Sequence, residues 1–216
     1  MNDRSVLSCI DCGVVNCNKM DKEFPEFCLT TGTVTEEDLA YVREKYAEKE
    51  NQKSMVSAAC VEYEGYCRLT RVEEIMDYAK RMGARKLGIA TCVGLIREAR
   101  MLAKIFRAHG FEVYGATCKV GGIPKHEVGI PVKCEELGRN TCNPILQAKL
   151  LNDAHTDLNV VVGLCVGHDS LFYKYSEALV TTAVTKDRVL GHNPAAALYT
   201  AEGYYRKKLF SEDYND

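Results

Sequence analysis

The sequence predicts an α/β protein, with a Rossmann-like parallel sheet flanked by helices over residues 85–216. A small N-terminal cysteine module over 1–34 and a helical segment over 35–84, packing on the core, precede it. Three observations support this. Short apolar runs alternate with helical periods from Lys86 onward, the pattern of strands joined by crossover helices. The run Leu158-Asn-Val-Val-Val-Gly-Leu164 is near-continuous and β-branched, as in a strand buried on both faces. Cys9, Cys12, Cys17 and Cys28 fall in a stretch with few core-forming residues, which needs something other than burial to hold it together.

Taken in order, Thr35 is an N-cap with Asp38 at the capping-box position, opening a solvated helix over 35–53. A second helix over Ser54–Tyr63 buries Met55, Ala59 and Cys60. Thr70-Arg-Val-Glu73 is a capping box, and the helix it opens ends at Gly83 in the C′ position. Lys86–Thr91 is a strand, Leu95–His109 a helix closed by Gly110, and Phe111–Ala116 a second strand. A loop rich in Gly, Pro and Cys follows; its length implies a function of its own. Asn143-Pro144 then starts a helix, Asn as cap and Pro at its first position. Beyond the strand at 158–164 come a short helix over Asp169–Ser176, a strand over Leu179–Thr185 and a last helix opened by Asn193-Pro194 and running to about Leu209.

Composition narrows the function. The 216 residues are 46% hydrophobic and 27% charged, with 28 basic against 30 acidic side chains, a net charge of −2. That balance excludes the electrostatic footprint of a nucleic-acid or anionic-membrane partner. No run approaches a membrane span, the longest being Leu158–Val166, and the first residues lack the apolar centre of a secretion signal. The expectation is a soluble cytoplasmic protein that meets a small-molecule substrate or a redox partner. Eleven cysteines, an odd count, in a reducing compartment point to metal ligation or thiol chemistry rather than disulfides.

The first four cysteines have the spacing Cys-x2-Cys-x4-Cys-x10-Cys. A Cys-x-x-Cys knuckle brings two sulfurs to one metal from a tight turn, and Gly13 allows that turn. Four thiolates suit tetrahedral zinc, and the same set ligates an iron–sulfur cluster. Farther on, Cys92, Cys118 and Cys165 each follow a strand, and Cys142 precedes the helix at Asn143-Pro144. In a parallel sheet these positions share the carboxyl edge, where ligands bind. Three or four of them are expected to hold a [4Fe–4S] cluster. Cys134 in the long loop is a further ligand or a resolving thiol, whereas Cys60 and Cys67 read as small hydrophobes. His168 and Lys186, which follow the third and fourth strands, are candidate catalytic groups for moving protons or meeting substrate charge, as is Lys119. His168 is also explained as a helix-start residue beside Asp169, and His192 by the Asn193-Pro194 cap alone.

Several strings are shared with a known family: Thr70–Gly83 (TRVEEIMDYAKRMG), Cys92-Val-Gly-Leu-Ile, Cys118-Lys-Val-Gly-Gly-Ile-Pro, Cys142-Asn-Pro-Ile-Leu, Gly163–Phe172 (GLCVGHDSLF) and Asp187–Pro194 (DRVLGHNP). Through them nearly the whole chain resembles an uncharacterised prokaryotic "metal-binding protein" family, domain of unknown function 1847. The resemblance implies a metal and no reaction class. Two functions are open at this point. One is a cysteine-ligated metalloenzyme, redox or sulfur-handling, with an iron–sulfur site at the sheet edge. A thiol enzyme without iron, using Cys165 as nucleophile, is a variant of it. The other is a non-enzymatic zinc-binding sensor or small-molecule-binding protein.

Overall fold

The computed structural model describes residues 7–210, and the chain divides into two compact units, Met1–Val56 and Ser57–Asp216. In the first, a short 3-10 turn at Cys9–Asp11 and a π-turn at Leu29–Thr33 lead into helix α1 (Glu36–Ala47). Thr35 and Asp38 cap α1 reciprocally, Thr35 N–H donating to Asp38 Oδ2 at 2.9 Å and Asp38 N–H to Thr35 Oγ1 at 3.2 Å. The solvated helix expected over 35–53 does not run through. It breaks at Glu48, whose extended backbone ends α1, and α2 runs over Lys49–Gly65 across the boundary between the units. The break is held by polar groups: Lys45 Nζ meets Glu48 Oε1 at 2.7 Å, and Asn51 Nδ2 donates to the Lys45 carbonyl at 2.9 Å. The buried residues of α2 are Ser57, Val61 and Gly65, while Met55 and Ala59 are exposed and Cys60 is half-buried. The buried stripe is thus displaced from the one read in the sequence. Met55 and Ala59 are four apart, but so are Ser57, Val61 and Gly65, and periodicity alone does not choose between parallel stripes.

The second unit holds the sheet. Helix α3 (Arg71–Met82) opens on the Thr70–Glu73 capping box and closes on Gly83 in the left-handed region, φ 73°. Strands β1 (Lys86–Thr91), β2 (Glu112–Thr117), β3 (Leu158–Val162) and β4 (Leu179–Val184) are all parallel, in the order β2-β1-β3-β4. Helix α4 (Ile96–Ala108) connects β1 to β2, α5 (Pro144–Asp153) precedes β3, and α6 (His168–Tyr175) connects β3 to β4. This is the doubly wound arrangement expected, with the strand order reversing between β1 and β3.

The core is built from both faces. Ile75, Met76 and Ala79 of α3 and Ala99, Leu102 and Phe106 of α4 are buried with Leu87, Ile89, Val160 and Val162 of the central strands, and Ala148, Leu151 and Phe172 close it from α5 and α6. Full burial of one such aliphatic or aromatic side chain is worth about 1.5–3 kcal/mol. One polar residue sits in mid-sheet: Asn159 is fully buried, accepting from Thr156 Oγ1 and donating to Ser176 Oγ, both at 2.8 Å. It fits because the paired residue on β1 is Gly88, where a Cβ would lie 1.9 Å from Asn159 Oδ1.

The last helix also differs from expectation. Instead of one helix to Leu209 there are two short ones, α7 (Ala195–Tyr199) and α8 (Arg206–Leu209), separated by turns around Gly203. Asn143 caps α5 as expected, its Oδ1 accepting from Leu146 N–H at 3.2 Å. Asn193 makes no such bond, and Pro194 is the capping residue of α7. The two Asn-Pro pairs differ because His192 at φ 66° turns the backbone, with its N–H on the Asp187 carbonyl and its Nδ1 accepting from Asp187 N–H.

Candidate functional site

The sheet-edge cysteines are placed by main-chain bonds that continue the ladder beyond the strands. Cys92 N–H donates to the Val162 carbonyl at 3.3 Å, and Cys118 N–H to the Thr91 carbonyl at 2.8 Å. Asn143 N–H donates to the Cys118 carbonyl at 2.7 Å, bringing the start of α5, and Cys142 with it, beside the end of β2. Gln147 of α5 locks this corner. It is fully buried, and its Nε2 donates to the Thr91 carbonyl at 3.1 Å and the Ala116 carbonyl at 2.7 Å, while its Oε1 is without a partner among the described residues.

Three sulfurs meet there. The Cys118 and Cys142 side chains interact, as do those of Cys142 and His168, and Cys92 lies within electrostatic range of Cys118. Main-chain amides serve two of the sulfurs: Val93 N–H donates to Cys118 Sγ at 3.3 Å and Gly94 N–H to Cys92 Sγ at 3.4 Å. Cys142 is driven down to about 4, first by the Cys118 bond, then by His168, against the cost of burial, with Lys119 assisting. Cys118 is pushed up, because it holds the proton it donates to Cys142 and is itself desolvated. His168 is raised by its bond to the Cys142 thiolate, against burial. The shifts favour a thiolate at Cys142, a proton on the neighbouring His168 and a thiol at Cys118.

The remaining expected residues divide. Lys186 is half-buried, and its Nζ stands 3.5 Å from where a Cβ on Gly94 would lie, with Cys92 Sγ 3.7 Å from the same point. Cys165 is also at this edge, half-buried, but the partner of its Sγ is Arg188 Nη2 at 2.8 Å. Lys119 turns to the long loop, where its Nζ donates to the Asn140 carbonyl at 2.6 Å. That loop is ordered by a Pro124–Asn140 bridge and 3-10 turns at Lys125–Val128 and Val132–Leu137. Cys134 lies in the second turn, its carbonyl accepting from Lys125 Nζ. Sequence reading missed Gln147 and Arg188. A polar residue inside the apolar face of PILQAKLL marks the first, and the second stands two residues past Lys186 without a sequence signal of its own.

In the first unit, Cys9 and Cys12 face one tight turn, Cys12 N–H donating to the Cys9 carbonyl at 3.3 Å. Cys17 is exposed in a second turn, where Asn16 Nδ2 donates to Asp21 Oδ1 at 2.6 Å. Cys28 is lowered from the ordinary thiol range by bonds from Thr31 and Thr30. Among described residues 7–56, Cys28 is the sole buried residue, so this unit has no apolar core. Among the described residues, no three His, Cys, Asp or Glu side chains stand close enough to hold a metal ion as they are. No described helix is long and apolar enough to cross a membrane.

Similarity to known proteins bears out the family that the sequence resembles. An uncharacterized protein of Methanocaldococcus jannaschii is 44% identical over 195 residues, covering 90% of this chain and 98% of its own. The model of a family described as "Protein of unknown function (DUF1847)" matches residues 28–183, which include all four sheet-edge cysteines and, of the N-terminal four, only Cys28. The chain is therefore a member of the DUF1847 family.

Proposed function

We propose that this chain is a cysteine-ligated metalloprotein whose sheet-edge sulfurs, Cys92, Cys118 and Cys142, hold a [4Fe–4S] cluster for redox or sulfur-handling chemistry. The observation that carries the reading is the meeting of these three unoxidised cysteines, from the ends of β1 and β2 and the start of α5, at the carboxyl edge. The donor set fits: three soft thiols, two of them already accepting main-chain N–H bonds, as sulfurs bound to such clusters do. Gly94 leaves open the space between Cys92 and Lys186 that a side chain would fill. In the first unit, Cys9, Cys12, Cys17 and Cys28 are proposed to hold zinc (or an iron–sulfur cluster), metal binding closing the four onto one centre and supplying the folding energy a coreless segment lacks.

Held by Cys92, Cys118 and Cys142, such a cluster would supply Lewis-acid or sulfur-binding chemistry at this edge. The chain's own residues do the rest. Gln147 holds the ends of β1 and β2 at fixed separation, and so positions Cys92 and Cys118. Buried Leu95 and Leu164 keep water from the inner side of the corner. His168 holds a proton beside Cys142 Sγ, and Lys186 places positive charge beside Cys92. We place the protein in the cytoplasm, acting on a small molecule or a redox partner.

The test is iron, zinc and acid-labile sulfide content with an absorption spectrum, on protein purified without oxygen. Expected are about four iron and four sulfide per chain and about one zinc. Cys118→Ser or Cys142→Ser should remove the iron and leave the zinc. Zinc alone, with no visible absorption after reconstitution, would retire the cluster and leave a non-enzymatic zinc-binding sensor or small-molecule-binding protein.

A further inference from the structure

The cluster reading uses three of the four cysteines at this edge and leaves Cys165 free for another role. Its Sγ meets Arg188 Nη2 at 2.8 Å, and Arg188 and Lys186 come from the same segment after β4. Around the cysteines stand four basic side chains, Lys119, His168, Lys186 and Arg188, and none of them makes an ion pair with a carboxylate among the described residues. Of the two nearby acids, Asp169 lies within electrostatic range of His168, and both make local main-chain bonds. Asp169 Oδ1 accepts from Ser170 N–H at 2.8 Å, and Asp187 Oδ1 accepts from Val189 and Leu190 N–H at 2.8 and 2.7 Å. Lys186 and Arg188, cations without a carboxylate partner beside soft nucleophilic sulfur, select a ligand that is anionic at one end and reactive through sulfur at the other.

We infer that the edge takes a small oxyanion carrying a sulfane sulfur, with Arg188 and Lys186 receiving the oxyanion end and Cys165 accepting the sulfur. This rests on the sulfur-handling reading of the site and names its substrate class. With thiosulfate as donor, the Cys165 thiolate attacks the sulfane sulfur. A new S–S bond forms to Cys165 as the bond to the sulfonate sulfur breaks, and the electron pair of that bond leaves with sulfite. Cys165 becomes a persulfide anion, total charge is the same on both sides, and no outside oxidant or reductant is consumed. Arg188 offsets negative charge at Cys165 before and after transfer. Cyanide as acceptor then removes the outer sulfur as thiocyanate and returns the thiolate.

The experiment incubates the full chain with thiosulfate without oxygen, followed by intact-mass and peptide mapping, and then measures thiocyanate after adding cyanide. One added sulfur atom on the Cys165 peptide is expected, lost in Cys165→Ser. Arg188→Ala and Lys186→Ala are each expected to raise the thiosulfate needed for half-loading about tenfold, the loss of one charge-assisted contact, with Arg188→Lys restoring part of it. No added sulfur, or sulfur on another cysteine that survives Cys165→Ser, overturns the inference. Iron measured in the same samples separates the two readings. Cys165→Ser protein that keeps its iron supports Cys165 as acceptor, and iron lost from that variant makes it a fourth ligand and overturns the inference. Absence of iron from every sample, with Cys165 still loading, defeats the cluster alone.

Discussion

In the metal-free protein, Cys142 should react as a thiolate at a pH where an ordinary cysteine is almost wholly protonated. An ordinary thiol at 9.0 is about 0.1% ionised at pH 6, whereas Cys142, lowered from that value to about 4, is ionised almost completely. That is a gain of roughly 1,000-fold in thiolate. Lower basicity takes most of it back: with a Brønsted slope of about 0.4–0.5, five units cost roughly 100–300-fold in intrinsic nucleophilicity. The net expectation is alkylation about 3–10-fold faster than a reference cysteine peptide at pH 6. The shape of the profile is the sharper test. Between about pH 5 and 8 the Cys142 rate should be flat, while the reference rises about tenfold per unit. The assay is iodoacetamide labelling of the apo chain, read at the Cys142 peptide by mass. Cys118→Ala removes the largest stabiliser of the thiolate and His168→Gln the next, so each should restore a slope in this range. A wild-type profile that rises tenfold per unit from pH 5 to 8 would refute the thiolate–imidazolium assignment. The sign carries over to stability. The lowered Cys142 contributes stability that is full above the ordinary thiol value and disappears as pH falls through about 4; that of the raised His168 is present at low pH and lost as pH rises through its folded value.

Two other changes test the frame that holds the site. Gly88→Ala puts a Cβ 1.9 Å from Asn159 Oδ1 and 3.0 Å from Leu151 Cδ1, breaking the Thr156–Asn159–Ser176 chain. It should cost about 2–5 kcal/mol in urea unfolding, and a loss below about 1 kcal/mol would contradict the packing over Gly88. Thr70→Ala removes the hydroxyl that pairs with Glu73 and accepts the first-turn amide of α3, at an expected cost of about 0.5–2 kcal/mol. Thermal unfolding of the two chains in parallel checks it, and an unchanged midpoint would mean that α3 is held by its apolar face alone.

The elements legible in the sequence are those whose ends are written in local chemistry. Thr35–Asp38, Thr70–Glu73, Gly83 and Asn143-Pro144 each satisfy backbone groups within a turn, and the structure has helix termini at all of them. Local signals failed where longer-range bonds decide. Asn193-Pro194 has the same two residues as Asn143-Pro144 but does not cap, because His192 and Asp187 set the backbone beforehand. The break at Glu48 depends on Lys45 and Asn51 side chains bonding across it, which charge density in the sequence does not show.

The same division holds for the site. The sequence by itself determined that thiols would end up at one edge of a parallel sheet, because a cysteine directly after a buried strand has nowhere else to go and parallel strands end on the same side. It also determined that the N-terminal unit would have no apolar core, since residue types alone limit what can be buried. Only the tertiary structure decided which thiols meet. Cys118 and Cys142, distant in sequence, are joined by the Asn143–Cys118 main-chain bond, and Arg188 reaches the Cys165 sulfur. Nor could a sequence show that their surroundings push Cys142 down and Cys118 up. Ionisation follows from the hydrogen bonds and burial each sulfur receives in three dimensions, and identical side chains acquire opposite roles from their surroundings.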